Sequence, residues 1–250
     1  MKAAISQDQI LGLNDAHVVA LERDWGVGEC ALHPFAIAGL EQLREDARKA
    51  GFDLRVASGF RSFSRQAQIW NAKAAGKRPV LDAGEQPLDV TVLSERELVF
   101  AILRWSALPG ASRHHWGSDM DVVDAAAIAP GYALRLTVDE TCGTGPFASL
   151  HRWLDERIAA GRAHGFFRPY TGAGCDVAAE PWHLSFAPLA WECERAFDPA
   201  ALFRAHRDAA LALAGTIEAC RDEILRRFIR VPPELYAAAW RTEGVSEVIT

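Results

Sequence analysis

Residues 112–124 read SRHHWGSDMDVVD, and the fold turns on how this stretch is divided. The second half, DMDVVD, has the character of a short strand. Side chains alternate across a strand, so Asp119 and Asp121 share one side and Asp124 takes the other. Gly117 suits a turn leading in, and His114 lies in that turn, seven positions before Asp121.

Working upstream, Ser94 and Glu97 are spaced as a capping box for a helix through ERELVFAILRWSAL, which Pro109 and Gly110 end. Residues 77–93 hold two prolines, Gly84 and several acids and read as a surface loop. Before it, SRQAQIWNAKAAG predicts a helix ended by Gly76, and FDLRVASGF a strand of about five residues. PFAIAGLEQLREDARKA has helical spacing, with Pro34 in the first turn and Gly51 at the C-cap.

Downstream, GYALRLTV predicts a strand, FASLHRWLDERIAAGRAHG an amphipathic helix and EPWHLSFA another strand. Pro181 cannot donate to a sheet ladder, which puts Glu180 in irregular chain just before that strand. From Asp198 as N-cap, residues 199–229 predict one long helix, with Gly215 as a candidate break, and a weak helix follows Pro232 and Pro233. The fold class is α+β: a small, mostly antiparallel sheet flanked by helices, with a long C-terminal helix. The expected organisation is a domain over residues 1–195, including an N-terminal extension, and a helical appendage over 196–250 packed on it. That helix must bury its apolar stripe on the core, the expected outcome, or against a second copy as a homodimer.

The bulk properties exclude several classes. The chain has 250 residues, a net charge of −6 and no basic run, so nucleic acid is not an expected partner. No apolar stretch reaches membrane-spanning length, and Gln7, Asp8 and Gln9 interrupt any signal-like run near the start. The five cysteines show no C-x-x-C spacing, which suits free thiols in a reducing cytosol. The expected location is cytoplasmic.

Eight histidines are present. His17, His33, His151, His164 and His206 have no acidic or histidine partner at a suggestive local spacing and read as structural. His114, with Asp121 seven residues on, and His183, three residues after Glu180, stand apart. Two imidazoles and a carboxylate are the usual donors of a catalytic zinc that keeps a fourth position open. A further glutamate beside them serves as general base. Spacing alone leaves both a metal site and an ordinary polar loop open.

Three blocks resolve this by resemblance. SGFRSFSRQ at 58–66, SRHHWGSDMD at 112–121 and EPWH at 180–183 resemble the zinc D-alanyl-D-alanine carboxypeptidase family. That family includes the vancomycin-resistance D,D-dipeptidases and the L,D-carboxypeptidases. Its patterns S-G-[YF]-R-S-x-x-x-Q, S-x-H-x-x-G-x-x-x-D and E-x-W-H occur here in order. The resemblance implies a zinc centre of His114, Asp121 and His183, with Glu180 as general base and Arg61 steadying the oxyanion or the substrate. Ser58, Gln66 and Ser112 would line the substrate pocket, and His115 and Asp124 would be scaffold. Asp119 departs from the family, which often has a small residue there; it would approach the metal or brace His114.

The implied reaction is hydrolysis of the amide before a C-terminal D-alanine in a small peptide or muropeptide. In the cytosol, cleaving wall precursors would damage wall synthesis, whereas trimming recycled tetrapeptide would not. This favours L,D-carboxypeptidase action over D,D-carboxypeptidase or D,D-dipeptidase action. A wall-peptide binding module without activity is the alternative from another class. A structural zinc staple fits least, because such sites usually use cysteine and no cysteine lies in the three blocks.

Overall fold

The computed structural model describes residues 5–239. The chain opens with one turn, α1 (Gln7–Ile10), and a two-stranded ribbon of β1 (Val19–Ala20) and β2 (Ala31–Leu32). Helix α2 (Pro34–Lys49) is capped by His33, whose Nδ1 accepts from the Phe35 amide. Strand β3 (Leu54–Ser58) leads to α3 (Phe63–Ala74), and α4 (Glu95–Trp105) starts on the Ser94–Glu97 capping box.

The stretch at 112–124 forms a 3-10 turn, Arg113–Trp116, then Gly117, then β4 (Asp119–Asp124). Gly117 sits at φ 68°, and a Cβ there would meet the His33 backbone nitrogen at 2.8 Å and Val18 Cγ1 at 2.6 Å. Only glycine turns the chain sharply enough here to send it from His114 into the strand. Then come α5 (Val138–Thr141), α6 (Ala148–Ala159), β5 (Phe166–Phe167), β6 (His183–Phe186) and α7 (Ala187–Ala196).

The main sheet has the order β3-β4-β6-β5, antiparallel throughout. Leu54, Val56, Met120, Val122, Leu184 and Phe186 turn one face into an apolar core beneath α2, α6 and α7. Register pairs Asp119 with Ser185 and Asp121 with His183 on the other face. All four of these polar residues are buried. Burying polar groups is costly unless each finds a partner, so this face marks a place built for chemistry.

The fold class is the α+β arrangement expected. The long C-terminal helix is not formed. Residues 199–229 divide into α8 (Pro199–Asp208), α9 (Ala214–Ala219), α10 (Arg221–Ile224) and a π-helical turn, Leu225–Ile229; α11 (Pro233–Ala239) follows. The break falls before Gly215, where Ala210 and Leu213 take positive φ. Its cause is tertiary: the Ala212 amide donates to Asn71 Oδ1 and its carbonyl accepts from Trp70 Nε1, both on α3. Leu202, Phe203, Ile217, Ile224 and Phe228 bury their apolar surface in a second core with Phe63 and Trp70 of α3 and Leu98 and Ile102 of α4. The stripe expected to face the core or a second copy is thus occupied within the chain.

The strand expected at 131–138 is also absent. Glu140, almost fully buried, accepts from the Arg135 and Thr137 amides and from the Tyr132 hydroxyl. A side chain satisfies these donors in place of a neighbouring strand, and Leu136 is held at φ 55°.

Candidate metal centre

His114 comes from the 3-10 turn, Asp121 from β4 and His183 from the first position of β6. One donor atom from each lies within 4.8 Å of the other two. His114 Nε2 is 3.6 Å from Asp121 Oδ2, and His183 Nδ1 is 3.3 Å from Asp121 Oδ1. Tetrahedral ligands at zinc distances sit about 3.4 Å apart, so the spacing suits that ion.

The remaining ring nitrogens orient the imidazoles. His114 Nδ1 pairs with the Gly59 carbonyl at 2.9 Å, which leaves Nε2 facing Asp121. His183 Nε2 pairs with Asp119 Oδ1 at 3.0 Å, which leaves Nδ1 facing inward. His183 Nδ1 and Asp121 Oδ1 are buried without a hydrogen-bond partner. Such orphans are rare in folded proteins, and here they point at one another's neighbourhood as a cation site requires.

Electrostatics agree. Burial lowers His114 to about 4, against the opposing pull of Asp121, so its imidazole is neutral and available as a ligand. Burial also pushes His183 down, but Asp119, bonded to its Nε2, and the Asp121 and Glu180 carboxylates near its Nδ1 together outweigh it and hold the group well above its usual value. Burial raises Asp121, yet His114 and His183 keep it below the ordinary carboxylate range. The cavity draws in positive charge, which a divalent ion supplies.

Asp119 does not brace His114, because the Gly59 carbonyl already holds that ring. Nor is it free for a metal. Its Oδ1 accepts from Arg113 Nε at 2.8 Å and from His183, and its Oδ2 accepts from Ser185 Oγ at 3.1 Å and from Ser118 Oγ. Four donors occupy both oxygens. Burial opposes ionisation, but the Arg113 guanidinium, His183 and the Ser118 hydroxyl together outweigh it and keep Asp119 charged.

Glu180 Oε2 lies 3.3 Å from His183 Nδ1, in irregular chain before β6. Glu180, Arg61, Ser112 and the three donors line one cleft of about 270 Å³. Arg61 donates to Gln66 Oε1 at 2.9 Å and Ser58 Oγ at 3.2 Å. Gln66 is fully buried and donates in turn to the Ala107 carbonyl. Ser58 and Gln66, expected to line the pocket, therefore meet the Arg61 guanidinium and set its direction.

His115 donates from Nδ1 to the Arg61 carbonyl and accepts at Nε2 from the Gly110 amide, a packing role. Asp124 accepts from the Asp53 and Ala126 amides. Sequence reasoning missed three parts of the cleft. Tyr170 packs edge-on against His183, with ring centres 5.1 Å apart. Lys73 and Arg135 line the wall, and burial, with Arg78 adding, lowers Lys73 to about 8. None carries a local motif; only the folded chain brings them to the cleft.

A His-Asp-His donor set open to a cleft, with a non-ligand glutamate and an arginine beside it, defines a metallopeptidase centre. The family model for VanY, D-alanyl-D-alanine carboxypeptidase, matches residues 29–189, more than half of the chain. The chain belongs to that family. It is a metallopeptidase of peptidoglycan peptides, with zinc as its cofactor.

A curated uncharacterised protein of Haemophilus influenzae is 36% identical over 104 residues, covering 42% of this chain and 70% of the relative. The zinc-bound structure of a vancomycin-resistance D,D-pentapeptidase, VanY, is 25% identical, covers 69% of this chain and 79% of its own, and has a TM-score of 0.46. The L,D-carboxypeptidase LdcB is 22% identical, covers 82% and 78%, and has a TM-score of 0.49.

Proposed function

We propose that this chain is an L,D-carboxypeptidase that removes the terminal D-alanine from recycled wall tetrapeptide in the cytoplasm. The observation that carries the hydrolytic reading is the convergence of His114, Asp121 and His183 beside Glu180 and Arg61 in one small cleft. The five cysteines, all unpaired, support a reducing compartment. There, tetrapeptide trimming is the reaction compatible with continued wall synthesis. The family description favours a second reading, cleavage of a D-alanyl-D-alanine end.

Bound zinc supplies Lewis acidity at neutral pH. Glu180 accepts the proton of the attacking water and returns it to the leaving amine. Arg61, held by Gln66 and Ser58, faces the developing oxyanion; a donor of this kind contributes about 3 kcal/mol to the transition state. Tyr170 fixes the outer edge of His183 and narrows the cleft.

The test is incubation of the zinc-loaded protein with muropeptide tetrapeptide and pentapeptide, followed by mass spectrometry. D-alanine release from tetrapeptide is expected. Release from pentapeptide alone replaces the L,D reading with the D,D one. Binding of either peptide without release, zinc being bound, replaces both with a non-catalytic binding module.

A further inference from the structure

The buried charge behind His183 has no part in the chemistry so far. Arg113 is 1% exposed, an unusual burial for an arginine. Each of its three nitrogens is used: Nε on Asp119, Nη2 on Ser185 Oγ at 2.7 Å, and Nη1 on Glu194 Oε2 at 3.0 Å and the Tyr236 hydroxyl at 2.8 Å. Tyr236 in turn donates to Glu194 at 2.5 Å. Asp119 meets Arg113 on one side and His183 Nε2 on the other. Glu194 on α7 and Tyr236 on α11 lie beyond residue 189, where the family match ends.

We infer that the C-terminal segment is part of the metal centre, with Tyr236 and Glu194 fixing Arg113, Arg113 fixing Asp119, and Asp119 orienting His183 toward the metal. The inference rests on His183 being a metal ligand. Asp119 is a positioning residue. Holding the proton at Nε2 directs the bare Nδ1 into the cavity, and a carboxylate on the far side makes the ring a stronger donor. Without Arg113, Asp119 would be a buried charge lacking its main counter-ion. Without Tyr236 and Glu194, Arg113 would lose the far end of its anchorage and its second charge partner.

The experiment measures zinc dissociation constants for the full chain by competition with a chromophoric chelator. Wild type is compared with Asp119→Asn and Tyr236→Phe, and zinc-free melting temperatures are recorded beside them. Asp119→Asn is expected to weaken zinc binding by roughly 10- to 100-fold. Tyr236→Phe is expected to weaken it in the same direction, by up to about tenfold, the worth of one hydrogen bond. The cobalt-substituted Asp119→Asn protein is expected to show displaced visible ligand-field bands. Should Asp119→Asn fail to fold, Ser185→Ala removes one of its supports and is expected to weaken zinc binding too. Lower melting temperatures with unchanged zinc affinity would mean a structural role only and would overturn the proposal. Zinc affinity needs no substrate, so a wild type that binds zinc but cleaves no muropeptide fails the functional reading without touching this one. A wild type that binds no zinc overturns both.

Discussion

Acid should unfold this protein earlier than its carboxylates alone require, and two of its buried histidines already give the effect a minimum size. His33 is brought down to about 4 by burial, with His17 adding to it. Its Nδ1 accepts from the Phe35 amide at 3.1 Å, and a proton there would turn the cap of α2 from acceptor to donor. His151 is brought down to about 3 by burial and by Arg168, whose Nη2 lies 3.4 Å from its Nδ1. Unfolded, both return to the ordinary 6.5. Their folded pKa values are depressed, so below 6.5 the unfolded chain binds more protons and stability falls as pH falls. The slope is about 1.4 kcal/mol per pH unit for each group. From pH 6.5 to about 4.5, after the rounding near each pKa, each histidine removes about 2 kcal/mol, or about 4 together. Buried His17, His114, His115 and His206 act in the same direction. His183 is raised instead, so its stabilising contribution is already complete below 6.5 and does not change in this window. A domain is typically stable by about 5–15 kcal/mol, so the loss is a large fraction of the whole. The assay is urea denaturation of the zinc-free protein at both pH values. A change of less than about 1 kcal/mol would refute the argument that these two rings are buried neutral.

Three further outcomes follow from the site. Glu180→Ala is expected to keep zinc, measured by metal analysis, and to lose roughly 100- to 10,000-fold in turnover. Arg61→Lys cannot span both Gln66 and Ser58; kcat is expected to drop by roughly 100- to 1,000-fold in steady-state assays. Gly117→Ala forces a side chain into a left-handed backbone and against the His33 nitrogen, and is expected to destabilise by more than about 1–2 kcal/mol in denaturant titration.

Much of the site was legible because its parts lie in short, strongly patterned blocks. Alternation along DMDVVD placed Asp119 and Asp121 on one face, and Pro181 placed Glu180 outside the strand. Alternation does not say which imidazole Asp119 meets. That depends on the β4–β6 register and on Gly59 having already taken His114 Nδ1. The failed strand at 131–138 and the divided C-terminal helix have a common cause. In each, polar side chains, Glu140 a few residues on in one and Asn71 and Trp70 of distant α3 in the other, claim backbone groups that local propensity assigns to regular structure. Tyr170 and Lys73 were invisible for a related reason: their positions in the cleft are set by packing between elements far apart in the chain.

The register that places His183 opposite Asp121 also governs when the centre can exist. His183 and Asp119 are 64 residues apart in the chain, so joining them carries the entropy cost of closing a long loop. Before that closure, the chain holds His114 with Asp121 and Glu180 with His183 only as separate local pairs, so the complete donor set exists once the strands have paired. The binding free energy of zinc then adds to the stability of the paired sheet. A slip of one residue between β4 and β6 would turn His183 to the apolar side. Retention of zinc against a chelator therefore reports that the two strands have paired correctly, and the metal acts as a proofreader of the sheet.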